Sequence, residues 1–132
     1  MSGCVLDTDV VIAALDRSDA NHRAAARALK GVAAEGTSLF LSLANYAEAL
    51  VRPAEDEATM RAATAAIDAL GIELVAPTPA IARDAARIRG GGGVSLAGAF
   101  AIATARARNA SLASFDRRVR RAVRQAGLGL TP

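Results

Sequence analysis

Cysteine and aromatic residues are scarce in this sequence. There is one cysteine, Cys4, no tryptophan and a single tyrosine, Tyr46. A lone cysteine excludes a disulfide framework and is typical of proteins that work in a reducing compartment. We therefore expect a cytoplasmic protein.

Long hydrophobic runs are also missing. No segment approaches the roughly 18 consecutive apolar residues of a membrane-spanning helix, and no basic region followed by a long apolar stretch opens the sequence. The 132 residues are nevertheless 52% hydrophobic, mostly aliphatic. We expect a soluble protein without a membrane partner, with one domain over residues 1–132 in which helices pack on a buried sheet.

Lysine is almost absent. Lys30 is the only one, and arginine supplies the other 15 of the 16 basic residues, for a net charge of +3. A guanidinium group contacts phosphate bidentately more readily than an ammonium does, so a polyanionic partner is one interpretation. A GC-rich coding sequence that writes arginine for lysine explains the composition equally well.

Short apolar runs alternate with helical patterns along the chain. The runs predict strands at 4–6, 38–42, 72–76 and 111–114, with the C-terminal LGLTP, 128–132, as a candidate fifth. The main helical segments lie at 10–15, 18–36, 43–52, 54–70, 78–89, 96–110 and 115–127. This alternation predicts an α/β fold, a three-layer α/β/α sandwich with a mostly parallel sheet of four to five strands.

Two common kinds of functional site are not indicated. The glycine run 90–93 follows a helix rather than a strand and lacks the GK[ST] or GxGxxG pattern, so it predicts a turn and not a phosphate-binding loop. The single histidine, His22, lies in a helical segment and receives no catalytic role. No histidine partner for a serine or cysteine nucleophile is in sight, so the sequence argues against triad chemistry.

Three acids follow predicted strands. Asp7 comes directly after the first strand, Glu48 six residues after the second, and Asp116 two residues after the fourth. Active groups of open parallel sheets gather at these carboxyl ends. Converging carboxylates repel each other unless a cation joins them, and oxygen ligands suit Mg²⁺ or Mn²⁺. For each acid, a helix cap or a solvated surface position is the alternative.

Asp9 stands two residues after Asp7. It either faces the same crevice and supports the site, or caps the first helix, and we favour the cap.

Three stretches, in order, resemble the motifs of one protein family. VLDTDVVIAALDRSDANH, SLANYAEAL and LAGAFAIATARARNASLASFDRRV are similar to motifs of PIN-domain endoribonucleases, in particular the VapC toxins of prokaryotic toxin–antitoxin pairs. The resemblance covers nearly the whole chain. It implies a PIN-like fold and metal-dependent hydrolysis of RNA, with Asp7, Glu48 and Asp116 as ligands of Mg²⁺ or Mn²⁺ and Ser114 as a supporting hydroxyl.

The same resemblance implies partners. These are a tRNA or rRNA substrate, a cognate VapB-like antitoxin and a second copy of the chain in a homodimer.

Gly98 departs from the family pattern. The family motif D-A-x-x-A-A-T-A aligns its aspartate with Gly98 of GAFAIATA, so one expected catalytic acid is missing. Either the natural protein has a reduced site, or an Asp-to-Gly change has inactivated a toxin that harms its host cell. We favour the second, because a helical glycine costs about 1 kcal/mol relative to alanine and the sequence shows no structural use for it. We expect impaired cleavage.

The last helical segment is strongly basic. Arg117, Arg120, Arg121 and Arg124 share one helix face next to Asp116, which predicts a surface for RNA phosphates. A solvated helix surface is the alternative.

Two other functions are compatible with parts of the pattern. A catalytically silent PIN module that binds RNA or protein fits the loss of an acid at Gly98. A phosphoacceptor receiver domain also places carboxylates at strand ends, but it needs a lysine late in the chain, and Lys30 lies in an early helix. The sequence argues against the receiver domain.

Overall fold

One parallel sheet forms the centre of the protein. The structure is a computed structural model that describes residues 3–131. The strands are Gly3–Leu6 (β1), Ser38–Ser42 (β2), Ile72–Val75 (β3) and Ser111–Ala113 (β4). They are all parallel and lie in the order β3-β2-β1-β4, with Val5 of β1 paired to Phe40 of β2 and to Leu112 of β4.

Helices cover both faces of this sheet. The helices are Thr8–Leu15 (α1), His22–Ala34 (α2), Leu43–Ala49 (α3), Glu57–Ala69 (α4), Pro79–Gly90 (α5), Leu96–Arg108 (α6) and Arg117–Gln125 (α7), with a short 3-10 turn at Pro53–Glu55. Cys4 and Leu6 pack with residues of α1 to α4, whereas Val5 packs with residues of α5 to α7. Successive residues of a strand point to opposite faces, so β1 alone joins two buried cores. The predicted three-layer α/β/α fold is confirmed.

The prediction of a fifth strand at 128–132 was wrong for the described residues. The chain end runs beside β4, where Thr131 N donates to Leu112 O at 2.9 Å and Leu112 N donates to Gly129 O at 3.0 Å. Only the isolated bridge between Leu112 and Leu130 results. Gly129 lies in this segment, and glycine is unfavourable in a strand. Pro132, the last residue of that prediction, lies outside the described residues.

The helix predicted from residue 18 begins later, at His22. Asp16 accepts hydrogen bonds from Ser18 N at 2.9 Å and Ser18 Oγ at 2.6 Å, and Asp19 accepts one from Asn21 N at 2.8 Å. Side-chain bonds of this kind hold the backbone in turns that compete with a helix. Two successive turns therefore occupy the segment that composition assigned to helix.

The glycine run forms the predicted turn between α5 and α6. Gly92 and Gly93 have φ angles of +84° and +88°, a region that side chains disfavour. Within residues 3–131, no helix has both the length and the apolar surface required to cross a bilayer.

Candidate active site

Asp7 lies where β1 ends and α1 begins. Its backbone N–H donates to Ala113 O at 2.9 Å, which fixes it beside the end of β4. Asp7 is the N-cap of α1, and its Oδ1 accepts from Thr8 N at 2.9 Å. The residue is only 6% exposed. A carboxylate is thus buried at the carboxyl edge of the sheet, where the sequence predicts the site.

Ser114 joins two of the predicted acids. Its Oγ donates to Asp7 Oδ2 at 2.7 Å and accepts from Asp116 N at 3.1 Å. Asp116 in turn caps α7, since its Oδ1 accepts from Arg118 N at 2.8 Å. The structure therefore brings Asp7, Ser114 and Asp116 together. Ser114 contacts Asp7 directly, and its role as a supporting hydroxyl stays a prediction.

Asp9 contacts the connection between β4 and α7, which also carries Ser114. The favoured interpretation as the cap of the first helix was wrong, because Asp7 occupies that position. Asp9 lies in the first turn of α1 and its two carboxylate oxygens accept from Phe115 N at 3.1 and 3.3 Å. The half-buried Asp9 carboxylate consequently holds the β4–α7 connection against α1.

Burial dominates the electrostatics of these acids. It raises the pKa of Asp7 above its usual value, an effect opposed by the hydrogen bonds from Ser114 and Thr8 and reinforced by the charges of Asp116 and Glu48. Burial, and then the charge of Asp7, raises the pKa of Asp9 to about 6. Both shifts reflect negative charges that water solvates poorly and that repel each other. Such a site favours the approach of a cation.

Glu48 is the most loosely connected predicted acid. Its side chain is exposed on α3, and its negative charge contributes to the raised pKa of Asp7. Within residues 3–131, no three histidine, cysteine, aspartate or glutamate side chains form a group that could hold a metal ion. The oxygen donors fit Mg²⁺ or Mn²⁺ in kind, but they fall short in number. The metal-binding roles of Asp7, Glu48 and Asp116 stay predictions.

The structure adds Asn45, a residue that the sequence reasoning missed. Asn45 is 0% exposed, and its Nδ2 donates to Thr8 Oγ1 and Ala97 O at 3.0 Å each and lies 3.4 Å from Asp7 Oδ1. No donor among residues 3–131 reaches its Oδ1. Asn45 therefore connects α1, α3 and α6 beside Asp7. Its only sequence signal is a polar residue three positions before Glu48 in an otherwise largely apolar helical segment.

Gly98 lies where α6 packs against α7. It is buried near the start of α6, and its N–H donates to Ser95 Oγ at 3.0 Å. A Cβ at position 98 would lie 3.1 Å from Val119 Cγ2 and 3.3 Å from Ser95 Oγ, closer than ordinary contact. A side chain at position 98 would require Val119 or Ser95 to shift by a few tenths of an ångström. That the glycine has no structural use stays a prediction. Position 98 faces the helix that Asp116 caps.

The four arginines predicted to contact RNA differ in their surroundings. Arg117, Arg121 and Arg124 are exposed on α7. Arg120 is half-buried, and its Nη1 donates to Ser114 O at 3.1 Å and to Thr131 O at 3.5 Å. Three of the four side chains are thus displayed to solvent, whereas Arg120 is engaged with the backbone of the site.

A cavity of about 720 Å³ lies at the other edge of the sheet. Gly3, Thr37 and Ser111, at or beside the amino ends of β1, β2 and β4, contribute to its lining together with residues of α2. The candidate acids stand at the carboxyl ends instead. Their chemistry and contacts, rather than the size of this cavity, locate the candidate site.

Comparison with known protein families gives one match. The model of the family described as PIN domain matches residues 4–125. No curated protein sequence matches significantly.

Solved structures share the fold at low sequence identity. VapBC2 from Rickettsia felis, bound to a DNA fragment from its promoter, aligns with a TM-score of 0.73 at 15% identity, over 97% of this chain and 96% of that one. VapC20 from Mycobacterium tuberculosis, described as a Sarcin-Ricin loop cleaving toxin, aligns at 0.72 and 17%, over 95% of each chain. A toxin-antitoxin complex from Klebsiella pneumoniae aligns at 0.66 and 21%, over 84% of each chain. Since the family model spans nearly the whole sequence, the chain belongs to the PIN domain family.

Proposed function

We propose that this protein is a VapC-type toxin whose parent activity is Mg²⁺- or Mn²⁺-dependent hydrolysis of RNA phosphodiester bonds. The observation that carries the proposal is the hydrogen-bonded connection of Asp7 to Ser114 and of Ser114 to Asp116 at adjacent strand ends. Membership of the PIN family supports it, as does the fold shared with a Sarcin-Ricin loop cleaving toxin.

The residues divide the work between binding and orientation. Asp7, Glu48 and Asp116 would hold the divalent ion, which when bound supplies a positive charge against the phosphate and an acidified water. Ser114 keeps the Asp7 carboxylate oriented, because its hydroxyl hydrogen is committed to Oδ2. Asn45 keeps the same carboxylate near the start of α6 through its contact with Ala97. Asp9 holds the β4–α7 turn that carries Ser114.

The exposed arginines of α7 would bind the RNA backbone. Arg117, Arg121 and Arg124 are displayed on the helix that Asp116 caps, so a phosphate held by them lies beside the acids. A tRNA or rRNA is the substrate class that we propose. Since each phosphate contact releases counterions, RNA affinity should fall steeply with salt.

Gly98 impairs this activity in our proposal because one carboxylate is missing. A side chain at position 98 would project from α6 beside Val119, a residue that lies one helical turn after Asp116.

The proposal includes partners and a location. A VapB-like antitoxin would neutralise the toxin, supported by the fold shared with a toxin-antitoxin complex. We further propose that residues 1–132 act as one domain, that two copies form a homodimer, and that the protein works in the cytoplasm, where its single cysteine stays reduced. Sedimentation of the purified protein tests the homodimer, and a monomeric mass at high concentration would contradict it.

RNA cleavage in the presence of Mn²⁺ tests the enzymatic part. The Gly98→Asp protein should cleave, and the chain with Gly98 should cleave far more slowly. Gly98→Ala is the matched control, because it adds the same Cβ beside Val119 without a carboxylate, and it should stay inactive. Equal cleavage by all three proteins would show that the fourth acid is unnecessary.

A silent binding module is the second candidate. The small number of ligands at the site favours it. In that case the Gly98→Asp protein would bind RNA or a protein partner and cleave no RNA, whereas cleavage that disappears on adding Asp7→Asn would exclude it.

A further inference from the structure

The turn between β4 and α7, residues 114–116, positions three acids at once. Ser114 Oγ donates to Asp7 at 2.7 Å, Phe115 N donates to Asp9 at 3.1 Å, and Asp116 N donates to Ser114 Oγ at 3.1 Å. A shift of this turn would therefore disturb Asp7, Asp9 and Asp116 together.

Arg120 holds this turn from the side of α7. Its Nη1 donates to Ser114 O at 3.1 Å, so the backbone carbonyl of Ser114 is fixed while its hydroxyl contacts Asp7. The same Nη1 lies 3.5 Å from Thr131 O. The half-buried guanidinium of Arg120 donates to two backbone carbonyls. It therefore stabilises the geometry of the turn rather than presenting its charge at the protein surface.

The chain end that Arg120 contacts is itself fixed. Thr131 N donates to Leu112 O at 2.9 Å. Thr131 Oγ1 lies 3.1 Å from Ser111 Oγ and 3.2 Å from Cys4 Sγ. Arg120 therefore contacts Thr131, which is fixed beside β4, and also contacts the turn 114–116, which carries the site residues.

We propose that Arg120 is a positioning residue of the site and not one of the phosphate contacts of α7. The inference rests on the proposed function, since it concerns the geometry of the same acids. Arg121 is the matched comparison, because it is the next residue on the same helix and is exposed. Arg120 should support cation binding, whereas Arg121 should support RNA binding.

Two measurements on the intact chain separate these roles. Binding of Mn²⁺ is measured by calorimetry, and binding of a single-stranded RNA oligonucleotide by fluorescence anisotropy over a series of salt concentrations. Arg120→Gln should raise the Kd for Mn²⁺ by about tenfold, as loss of outer contacts to ligands does, and leave the salt dependence of RNA binding unchanged. Arg121→Gln should leave Mn²⁺ binding unchanged and reduce the salt slope by about 0.7.

The sign of the Mn²⁺ result distinguishes positioning from simple electrostatics. Removal of a positive charge near the acids would by itself strengthen cation binding. Weaker binding by Arg120→Gln therefore reports lost geometry. Arg120→Lys keeps the charge and one reachable donor, and it should recover part of the Mn²⁺ affinity. Thermal melting establishes that each variant is folded at the temperature used.

Hydrogen exchange provides a readout that needs no ion. The amides of Phe115 and Asp116 should exchange faster in Arg120→Gln than in Arg121→Gln at equal global stability. This comparison decides the question if the chain with Gly98 shows no measurable heat with Mn²⁺.

The outcomes separate this inference from the proposed function. Equal protection at Phe115 and Asp116 in both variants, or a salt slope reduced by Arg120→Gln as much as by Arg121→Gln, would overturn the role of Arg120. An RNA affinity that responds to none of the exposed arginines would contradict the RNA-binding surface instead, while Mn²⁺ binding and exchange would still judge Arg120.

Discussion

Two aspartates of this protein cap helices with similar hydrogen bonds, and yet their pKa values are shifted in opposite directions. Asp56 caps α4, and its Oδ2 accepts from Thr59 N at 2.9 Å and Thr59 Oγ1 at 2.6 Å. Asp7 caps α1 and accepts from Thr8 N at 2.9 Å and Ser114 Oγ at 2.7 Å. The pKa of exposed Asp56 is lowered by its hydrogen bonds, whereas the pKa of Asp7 is raised because burial outweighs them.

The difference lies in where each hydroxyl comes from. Thr59 is three residues from Asp56, so that cap is complete within one helix and stays in water. Ser114 is 107 residues from Asp7, and only the pairing of β1 with β4 brings them together. Burial beside other carboxylates distinguishes Asp7 from an ordinary cap, and it is the setting in which we propose that this carboxylate binds a cation.

The largest expected effect is on RNA cleavage. In the Gly98→Asp protein, Asp7→Asn should reduce the cleavage rate by at least about 10²-fold, because it removes a ligand rather than an outer contact. Asp56→Asn in the same protein should leave the rate unchanged. Single-turnover cleavage with saturating Mn²⁺ measures both. Similar losses in the two variants would end the distinction between a structural cap and a site residue.

Replacement of Asn45 should have the next largest effect. Asn45→Ala leaves Thr8 Oγ1 and Ala97 O without their buried donor and opens a cavity, at a cost of about 2 to 4 kcal/mol in the free energy of unfolding. Asn21→Ala is the control, because Asn21 precedes α2 without a side-chain cap bond, and it should cost less than about 0.5 kcal/mol. Urea denaturation gives both values, and comparable losses would contradict the structural role of Asn45.

The pH dependence of stability should separate Asp9 from Asp56. Asp9 has a pKa raised from 3.8 to about 6, so its favourable contribution is complete at low pH and is lost as the pH rises through that interval. Asp9→Asn should therefore be more stable than the parent at neutral pH, by roughly 1 to 2 kcal/mol after allowance for partial solvent screening, and equal to it near pH 3.

Asp56 should show the opposite sign. Its pKa is lowered, so its contribution is present above the ordinary value of 3.8 and disappears as the pH falls through the lowered value. Asp56→Asn should be less stable than the parent at neutral pH. Urea denaturation curves across this pH range measure both differences, and parallel profiles for the two variants would contradict the assignment.

The smallest effect concerns two helical glycines. A Cβ at Gly31 of α2 meets nothing within 4 Å, so Gly31→Ala should stabilise the protein by up to about 1 kcal/mol. Gly98→Ala should gain less or lose stability, because its Cβ would lie 3.1 Å from Val119 Cγ2. In a Val119→Ala protein, Gly98→Ala should stabilise the protein as much as Gly31→Ala does. Equal gains at Gly31 and Gly98 in the parent would show that the α6–α7 contact yields freely.

Sequence patterns predicted the fold and part of the site for a simple reason. Alternation of apolar runs with helices leaves few topologies other than a parallel sheet, and the carboxyl ends of parallel strands meet at one edge. Asp7 and Asp116 were therefore predictable as neighbours, and Ser114 entered with the family motif. The start of α2 was missed because the side chains of Asp16 and Asp19 form turns within a segment of helical composition.

Other features depended on distant contacts. The hydrogen bond of Asn45 to Ala97 spans 52 residues, and that of Arg120 to Thr131 requires the chain end to return to β4. The close approach of α6 to α7 at Gly98 arises from packing between helices. None of these leaves a local pattern, because helical periodicity shows which face is apolar and not what it meets.

The amino-acid order by itself determined the succession of strands and helices, the parallel sheet and the placement of acids at strand ends, since each follows from local periodicity and the geometry of the peptide chain. The tertiary structure alone decided which carboxylates are buried. Asp7 is buried under α1, α3 and the β4–α7 turn, while Asp56, with similar hydrogen bonds, stays exposed. Burial of charge depends on everything that surrounds a group, and those surroundings come from residues far away along the chain.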